Sequence, residues 1–276
     1  MIAVPPHATT EIEVRLLLEA IYLQYHYDFR SYSMASLKRR IAAALPKLGC
    51  VTISALQERV LHDPDTLSAL LQFLTVQVSD MFRDPPFFRA LREQIVPELE
   101  TYPSLKVWIA GCSSGEEVYS WAITLADVGL LDRTILYATD INPDALAKAE
   151  AGLYPLDRVA TFSENYRLSG GKRSLSEYYT AAYGSAAFSR SLRSRVVFSD
   201  HSLATDNVFA EVQVVSCRNV LIYFERPLQD RAIKLFADSL CRRGFLGLGA
   251  GESLKLTTHA AAFRDCAAKE KWYQRC

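Results

Sequence analysis

Small residues and two acids occur together in the segment from Gly111 to Glu117, Gly-Cys-Ser-Ser-Gly-Glu-Glu. Small residues let a backbone approach a ligand closely, and a carboxylate on the first turn of a following helix can accept hydrogen bonds from ammonium or hydroxyl groups. The segment lacks the G-x-G-x-x-G spacing and the G-K-[ST] ending of phosphate-binding loops, and its two acids would repel a pyrophosphate. It therefore indicates a site for a zwitterionic or cationic ligand.

A further acid, Asp140, follows the apolar segment 134–139. An acid at the end of the second strand of a nucleotide-binding unit can accept hydrogen bonds from both ribose hydroxyls of a nucleoside. Aspartate at a strand end also caps turns, so Asp140 alone is weak support. Together with the segment 111–117, it favours nucleoside binding.

A third polar segment runs from Cys217 to Phe224, directly after the valine-rich residues 212–216, which are expected to form a strand. It places an arginine and an asparagine before two adjacent aromatic residues. We expect Tyr223 to lie at the site and Phe224 to be an aromatic residue of the core.

Strands and helices alternate around these three segments. Strands are expected at 105–110, 134–139, 195–199, 212–217 and 244–250, and helices at 116–126, after Asn142 as N-cap, and at 227–240. This alternation predicts a mostly parallel sheet with helices on both faces. In such a sheet ligands bind beyond the carboxyl ends of the strands, which is where the three polar segments would meet.

The region before these elements has helical periodicity. Apolar residues recur at intervals of three and four residues from Glu11 to Phe73, with Gly49 as the single glycine. Breaks at Pro46, at Gly49 and at 62–65 divide it into three or four short helices, the last of which begins near Asp65 as N-cap. An N-terminal helical domain is therefore predicted.

Composition excludes several classes of protein. The 31 Lys and Arg residues balance 31 Asp and Glu residues, so no net charge attracts nucleic acid or an anionic membrane. No apolar run approaches the roughly 20 residues that cross a bilayer, and residues 1–10 lack the pattern of a secretory signal, which predicts a flexible lead-in. The six dispersed cysteines and five dispersed histidines indicate reduced thiols, a cytoplasmic location and no metal site.

Two segments have more than one interpretation. The basic cluster Lys38-Arg39-Arg40 is typical of a solvated helix face, with docking to an acidic partner as the alternative. Between Thr161 and Arg193 the periodicity is lost, and Gly170-Gly171 precedes two basic residues. That pattern predicts a small β insert with a hairpin tip there, or else a loop.

In combination and in this order, these segments resemble the chemotaxis receptor methyltransferases. These CheR-type enzymes methylate glutamate side chains of chemoreceptors with S-adenosylmethionine. The motifs that carry the resemblance are Leu74–Pro85 (LTVQVSDMFRDP), Trp108–Glu117 (WIAGCSSGEE), Ala138–Ile141 (ATDI) and Cys217–Phe224 (CRNVLIYF).

The resemblance implies the fold class: an α/β, Rossmann-like S-adenosylmethionine-dependent methyltransferase domain preceded by a small all-helical domain. The expected divisions are a helical domain at 1–75, a linker helix and cofactor-contacting segment at 76–103, and a methyltransferase domain at 104–276 with a small β insert at about 161–193.

The resemblance also implies site residues. Glu117 would hold the amino-acid end of the cofactor and Asp140 its ribose, while Arg83 and Tyr223 would be the catalytic residues nearest the methyl group. The full set implied to bind the cofactor is Gln77, Ser79, Arg83, Gly111, Glu117, Asp140, Ser202, Leu203, Arg218 and Asn219. The family commonly has asparagine at the positions of Gln77 and Ser202, so both contacts would be altered.

This chemistry needs few catalytic groups. A glutamate carboxylate has a pKa of about 4.3 and is ionised at neutral pH, so its attack on a sulfonium methyl requires no general base. Arg83 could orient the carboxylate bidentately. The alternative for Arg83 is a salt bridge to Asp80 or Asp84.

The implied partners are cytoplasmic helices of chemoreceptors, recognised by the helical domain and the insert, with no nucleic acid, no membrane insertion and a monomer as default. The insert lacks the Gly-x-Gly signature of members that tether to a receptor's C-terminal peptide, which predicts a tether-independent enzyme. Two alternatives stay open: a methyltransferase for another carboxylate acceptor, and a non-catalytic S-adenosylmethionine-binding signalling protein.

Overall fold

A computed structural model describes residues 6–255 and 257–276. By its internal contacts the described chain forms two compact units. The first comprises the described residues up to Gln77 together with Ser202–Asp206 and Tyr223–Ala232. The second comprises Val78–His201, Asn207–Ile222 and Ile233–Cys276. Of the lead-in predicted at 1–10, residues 1–5 lie outside the described part, and 6–10 are helical, which corrects that prediction.

Four helices form most of the first unit. They are α1 Pro6–Tyr25, α2 Met34–Lys47, α3 Ile53–His62 and α4 Pro64–Leu74. Helix α1 packs on α3, and α2 packs on α4. Their apolar residues at helical spacing, such as Leu17, Ile41 and Leu70, are fully buried, so the predicted helical region is confirmed.

Two of the predicted helix boundaries in this unit are wrong. Pro46 lies inside α2, in its last turn, and does not end the helix. The N-cap of α4 is Asp63, whose side chain accepts a hydrogen bond from the Asp65 N–H, and not Asp65 itself. Pro64 fits the first helical position because that position needs no N–H donor.

The second unit is built on a seven-stranded sheet with the order β6-β2-β1-β7-β8-β10-β9. Its strands and helices, in chain order, are α5 Pro85–Ala90, a π-helical turn Leu91–Ile95, α6 Val96–Leu99, β1 Leu105–Ala110, α7 Glu116–Asp127, β2 Thr134–Asp140, α8 Pro143–Ala151, β3 Leu153–Pro155, α9 Val159–Leu168, β4 Tyr179–Ala182, β5 Ser185–Phe188, α10 Arg190–Arg193, β6 Val196–Asp200, β7 Val212–Cys217, α11 Arg226–Ser239, β8 Leu240–Leu248, β9 Phe263–Ala267 and β10 Trp272–Arg275. Helix α11 begins in the first unit and ends in the second.

The sheet is parallel through β6, β2, β1, β7 and β8, and antiparallel where β10 and β9 complete it. Thus the mostly parallel sheet is confirmed, but its last two strands were not predicted. Their short apolar runs are interrupted by charged residues, and they are held by tertiary contacts: the Trp272 ring stacks on Phe87 with centroids 4.4 Å apart.

Helices cover both faces of the sheet, as predicted. Successive side chains of a strand point to opposite faces. Val107 and Ile109 of β1 belong to the same buried cluster as Val118 of α7, whereas Trp108 contacts Phe236 of α11, with ring centroids 5.4 Å apart. Asn142 caps α8 as expected, accepting from the Asp144 and Ala145 N–H groups.

A separate three-stranded sheet, β3-β5-β4, interrupts the succession of parallel strands. Its hairpin turn is Tyr183-Gly184, with φ values of +49° and +73° that are typical of a tight two-residue turn. Gly170-Gly171 is therefore not the hairpin tip but follows the end of α9, where a Cβ on Gly171 would lie 2.3 Å from the Tyr166 ring.

None of the helices in residues 6–255 and 257–276 is long and apolar enough to cross a membrane. Within those same residues, no group of three or more His, Cys, Asp or Glu side chains is arranged to hold a metal ion.

Candidate functional site

The loop after β1 is shaped by glycines that no other residue could replace without strain. Gly111 and Gly115 have φ values of +72° and +90°. A Cβ on Gly111 would lie 2.5 Å from Val220 Cγ2, and one on Gly115 would lie 2.7 Å from Ala149 Cβ. The small residues of this segment therefore allow both a left-handed backbone and close packing at the carboxyl end of the sheet.

Asp140 joins this loop to the end of β2. Its carboxylate accepts hydrogen bonds from the Ser113 N–H at 2.8 Å and the Asn142 N–H at 3.0 Å. Burial raises the pKa of Asp140, and Asp200 raises it further, while the N–H donors oppose the rise. The Ser113 hydroxyl beside this contact is buried and has no hydrogen-bond partner among the described residues.

Glu117 lies in a buried cluster that connects α7 to the end of β7. Its carboxylate accepts a hydrogen bond from Ser216 Oγ at 2.6 Å and pairs with Arg218 at 3.1 Å. The Arg218 side chain is only 1% exposed and also pairs with Asp84 at 2.9 Å. Its guanidinium lies over the Phe87 ring, 4.1 Å from the centroid.

The segment from Ser79 to Asp84 is held in place by side chains from elsewhere in the unit. Arg158 donates to the Ser79 carbonyl and pairs with Asp80 at 2.8 Å. Ser120 Oγ of α7 accepts from the Phe82 N–H at 2.7 Å. Phe82 and Asp84 have φ values of +51° and +56°, which residues other than glycine rarely adopt. The contacts therefore maintain a backbone that would be unfavourable alone.

Arg83 contributes its backbone and its side chain differently. Its carbonyl accepts a hydrogen bond from Arg218 at 2.7 Å, whereas its guanidinium makes one long contact, 3.4 Å, to the Val78 carbonyl. Asp80 pairs with Arg158 and Asp84 with Arg218. The alternative salt bridge of Arg83 to Asp80 or Asp84 is thus not observed between these described residues, since both acids are paired elsewhere.

Three predicted residues of the second unit, Glu117, Asp140 and Arg218, lie at the carboxyl ends of β1, β2 and β7 or pair with a residue there. Gly111 and Asn219 lie in two of these loops, and Ser79 and Arg83 in the segment tied to them.

The other predicted residues, Gln77, Ser202, Leu203 and Tyr223, lie in the first unit. The Gln77 amide donates to Thr75 at 3.0 Å, and its Oε1 is buried without a described partner. Ser202 begins a turn closed by Asp206, and Leu203 is buried.

Tyr223 is fixed by the same unit. Its carbonyl accepts from the Ser33 N–H at 2.8 Å, and the Arg40 guanidinium lies 4.6 Å from its ring centroid. Phe224 is buried against Tyr32, with ring centroids 4.8 Å apart, which confirms its prediction as a core residue.

The sequence reasoning missed the residues that support these groups. They are Asp84, Glu116, Arg158, Ser216 and Glu252. Glu116 is 1% exposed, receives a hydrogen bond from Ser114 and pairs with Arg158 at 2.6 Å. Glu116 lies inside the Gly111–Glu117 segment and Asp84 inside the motif Leu74–Pro85, but the sequence did not indicate the partners of either residue. The others depend on partners far away in the chain.

The arrangement suits a particular kind of ligand. The Glu117 and Asp140 carboxylates can accept hydrogen bonds from ammonium and hydroxyl groups, and the unpartnered Ser113 hydroxyl offers another polar contact. Positive-φ glycines leave room for close approach to the backbone. This chemistry matches an amino acid joined to a nucleoside.

Two family profiles match the chain, one after the other. Residues 12–75 match the CheR methyltransferase all-alpha domain, and residues 77–271 match the CheR methyltransferase SAM binding domain. The chain belongs to the CheR methyltransferase family.

Similarity to individual proteins supports this family assignment. The chain is 59% identical to the protein named Cher3 of Pseudomonas putida, over 96% of this chain and 97% of the relative. It is 32% identical to a chemotaxis protein methyltransferase of Listeria innocua, over 82% of this chain and 84% of the relative. With chemotaxis protein methyltransferase 1 of Vibrio cholerae it shares 29% identity, over 82% of each chain.

As a CheR protein, the chain is an S-adenosylmethionine-dependent methyltransferase. The predicted family, fold class and cofactor are therefore confirmed. S-adenosylmethionine carries an amino acid and a ribose, which fits the carboxylates and the buried, unpartnered Ser113 hydroxyl described above.

Proposed function

We propose that the protein methylates glutamate side-chain carboxylates of chemoreceptors. The observation that carries this proposal is the state of Arg83. Its backbone is tied through Arg218 to the Glu117 cluster, while its guanidinium, among the described residues, pairs with neither Asp80 nor Asp84. A cation in this position can orient an incoming carboxylate through two hydrogen bonds.

The residues proposed to hold the cofactor are those inferred from the sequence. Glu117 binds its amino-acid end and Asp140 its ribose, and the remaining contacts come from Gln77, Ser79, Arg83, Gly111, Ser202, Leu203, Arg218 and Asn219. Bound S-adenosylmethionine supplies an electrophilic methyl group. Pairing of Glu117 with Ser216 and Arg218 keeps its carboxylate oriented before any ligand arrives.

Arg83 and Tyr223 are proposed to position the acceptor. The acceptor carboxylate is ionised at neutral pH, so the protein has no proton to remove and contributes placement and exclusion of water. Arg83 orients the acceptor without a neighbouring acid competing for its guanidinium. The role of Tyr223 is to border the acceptor.

Receptor recognition is proposed for the helical domain at 1–75 and for the insert. The cofactor-contacting segment is proposed at 76–103, and the methyltransferase domain follows it at 104–276. The substrates would be cytoplasmic receptor helices, so the enzyme would act in the cytoplasm, with a monomer as the default state. The two-residue turn Tyr183-Gly184 leaves no room in the β4–β5 hairpin for a Gly-x-Gly signature. This supports an enzyme that does not need a receptor tether.

The proposal is tested by incubating the protein with radiolabelled S-adenosylmethionine and membranes that contain candidate chemoreceptors. We expect base-labile label, released as methanol, on the receptors, and its loss in Arg83→Ala. Arg133→Ala is the matched control, because Arg133 precedes β2 at its amino end, opposite the polar loops, and its guanidinium donates to the Glu100 carbonyl at 2.9 Å.

Two other results would contradict the proposal. Label on a different acceptor would indicate another carboxylate substrate. Tight binding of S-adenosylhomocysteine without any transfer would indicate a non-catalytic signalling protein. Removal of the receptor's C-terminal peptide should leave the amount of label unchanged. Loss of label after this removal would show that the enzyme is tether-dependent.

A further inference from the structure

The loop after β7 has a backbone that needs outside support. Asn219 has a φ of +61°, a left-handed conformation that residues other than glycine rarely adopt. The N–H groups that follow β7 are not paired within the sheet. They converge instead on one carboxylate, that of Glu252, which follows the end of β8.

Backbone N–H groups of the loop after β7 and of Gly249, the residue after β8, donate to Glu252. Its Oε2 accepts from Asn219 at 3.1 Å and Gly249 at 2.6 Å, and its Oε1 accepts from Val220 at 2.9 Å and Ile222 at 3.4 Å. The residue is 4% exposed. Because an unpaired carboxylate is costly to bury, and backbone donors here replace water, Glu252 and the loop stabilise each other only in this arrangement.

Gly249 makes this close approach possible. A Cβ at this position would lie 2.7 Å from the Asn219 nitrogen and 2.8 Å from Glu252 Oε2. Two residues later, a Cβ on Gly251 would meet nothing nearer than Ile222 Cγ2 at 3.9 Å. The first glycine is therefore required by the contact between β8 and the loop, and the second is not.

We propose that Glu252, with Gly249, is a positioning residue for the cofactor site. It fixes the backbone of the segment that carries Asn219 and follows Arg218, whose side chain pairs with Glu117. Glu252 acts through these residues and does not contact the cofactor. The inference rests on the proposed assignment of Arg218 and Asn219 to cofactor binding.

The test is calorimetric titration of the full chain with S-adenosylhomocysteine, which needs no acceptor. We expect Glu252→Gln to weaken binding at least tenfold, because an amide has one acceptor oxygen and would turn its NH2 toward backbone donors. Glu252→Asp keeps both acceptor oxygens on a shorter side chain and should restore part of the affinity. Gly249→Ala should also weaken binding at least tenfold, and Gly251→Ala should bind like the wild type.

A stability-matched variant separates positioning from general loss of stability. Asp127→Asn removes a buried carboxylate at the far end of α7, where it pairs with Arg92 and accepts hydrogen bonds from two tyrosines. It should lower the melting temperature and leave affinity for S-adenosylhomocysteine unchanged.

Three outcomes would overturn the inference: wild-type affinity in Glu252→Gln, equal losses of affinity in Glu252→Gln and Asp127→Asn at equal loss of melting temperature, or equal effects of the two glycine variants. Failure of receptor methylation in the assay above would contradict the proposed substrate and would leave this titration unaffected.

Discussion

The loops after β1 and β7 leave adjacent parallel strands at the same edge of the sheet, yet different interactions determine their backbones. The loop after β1 has glycines at two of its positive-φ positions and is bound to the neighbouring strand end through the Thr139 carbonyl and Asp140. The loop after β7 has Asn219 at its positive-φ position and depends on Glu252, which is more than thirty residues away.

This difference separates two ways of building a site. Where local residue types such as glycine determine the backbone conformation, a sequence pattern can indicate it. The Gly111–Glu117 segment is an example. Where a distant side chain imposes the conformation, the local sequence carries little signal. The two loops meet at one point, since Val220 fills the space beside Gly111.

The largest effect is expected for Glu117→Gln, which removes the charge that both Arg218 and the cofactor's amino group would share. Affinity for S-adenosylhomocysteine, measured by calorimetry, should fall by about 100-fold, because hydrogen bonds to charged groups contribute up to roughly 3 kcal/mol. Glu164→Gln, an exposed carboxylate paired with Arg167, is the control and should bind normally. A change of less than threefold for Glu117→Gln would refute its role.

The point where the loops meet is tested by Gly111→Ala against Gly129→Ala. Both glycines have nearly equal φ values, +72° and +71°, but a Cβ on Gly129 would meet nothing within 4 Å. The left-handed backbone alone should cost about 1–2 kcal/mol of the free energy of unfolding. Gly111→Ala should cost at least about twice that, since overpacking adds a further ~1–3 kcal/mol. Urea denaturation measures the free energy of unfolding of both variants. Equal losses would show that Val220 can move away from the new Cβ at little cost.

Lowering the pH is expected to have an intermediate effect on ligand affinity. Because burial raises the pKa of Asp140, its carboxylate should gain a proton at a higher pH than the ordinary value of about 3.9. Ribose hydroxyls donate better to the ionised form, so affinity for S-adenosylhomocysteine should fall as pH falls through the raised pKa. Asp140→Asn should bind weakly and lose this part of the pH dependence.

The contribution of Asp140 to the stability of the unliganded protein should change with pH in the opposite direction to the ligand affinity. Between the ordinary and the raised pKa, the folded state binds more protons at Asp140 than the unfolded state does, so this group's contribution to stability decreases as pH rises through that window. Denaturation of wild type and Asp140→Asn across the window checks the sign. A contribution that increases with pH would contradict a raised pKa.

The smallest effect is expected for Ser113→Ala. Its buried hydroxyl has no described partner, so its removal should leave the stability of the unliganded protein within about 0.5 kcal/mol, while affinity for S-adenosylhomocysteine falls about three- to fivefold, or ~1 kcal/mol. Ser114→Ala should behave in the reverse way, because the Ser114 hydroxyl donates to Glu116 at 2.7 Å. It should cost about 1 kcal/mol of unfolding free energy. Equal profiles for the two variants would remove this distinction.

Much of the fold could be predicted because its central elements have strong local patterns. Apolar runs of strand length bounded by glycine, and helices begun by Asn142 or by Gly115, lie close to where the sequence places them. The antiparallel strands β9 and β10 and the start of β8 could not be predicted, because their burial comes from pairing and from contacts such as Trp272 on Phe87. Gly170-Gly171 misled for the same reason: packing against Tyr166 explains Gly171 better than a hairpin does.

The sequence by itself determined the residue types of the site and the succession, along the chain, of the strands that present them. Taken together, glycine, serine and carboxylates at strand ends indicate a ligand chemistry, and the motifs identify the family. Tertiary structure alone decided which of these groups already have ion-pair or hydrogen-bond partners within the protein. Arg218 is surrounded by Glu117, Asp84 and Phe87, and Glu252 closes the loop after β7. Such pairings arise because a buried charge must find its partner wherever the fold brings one within reach.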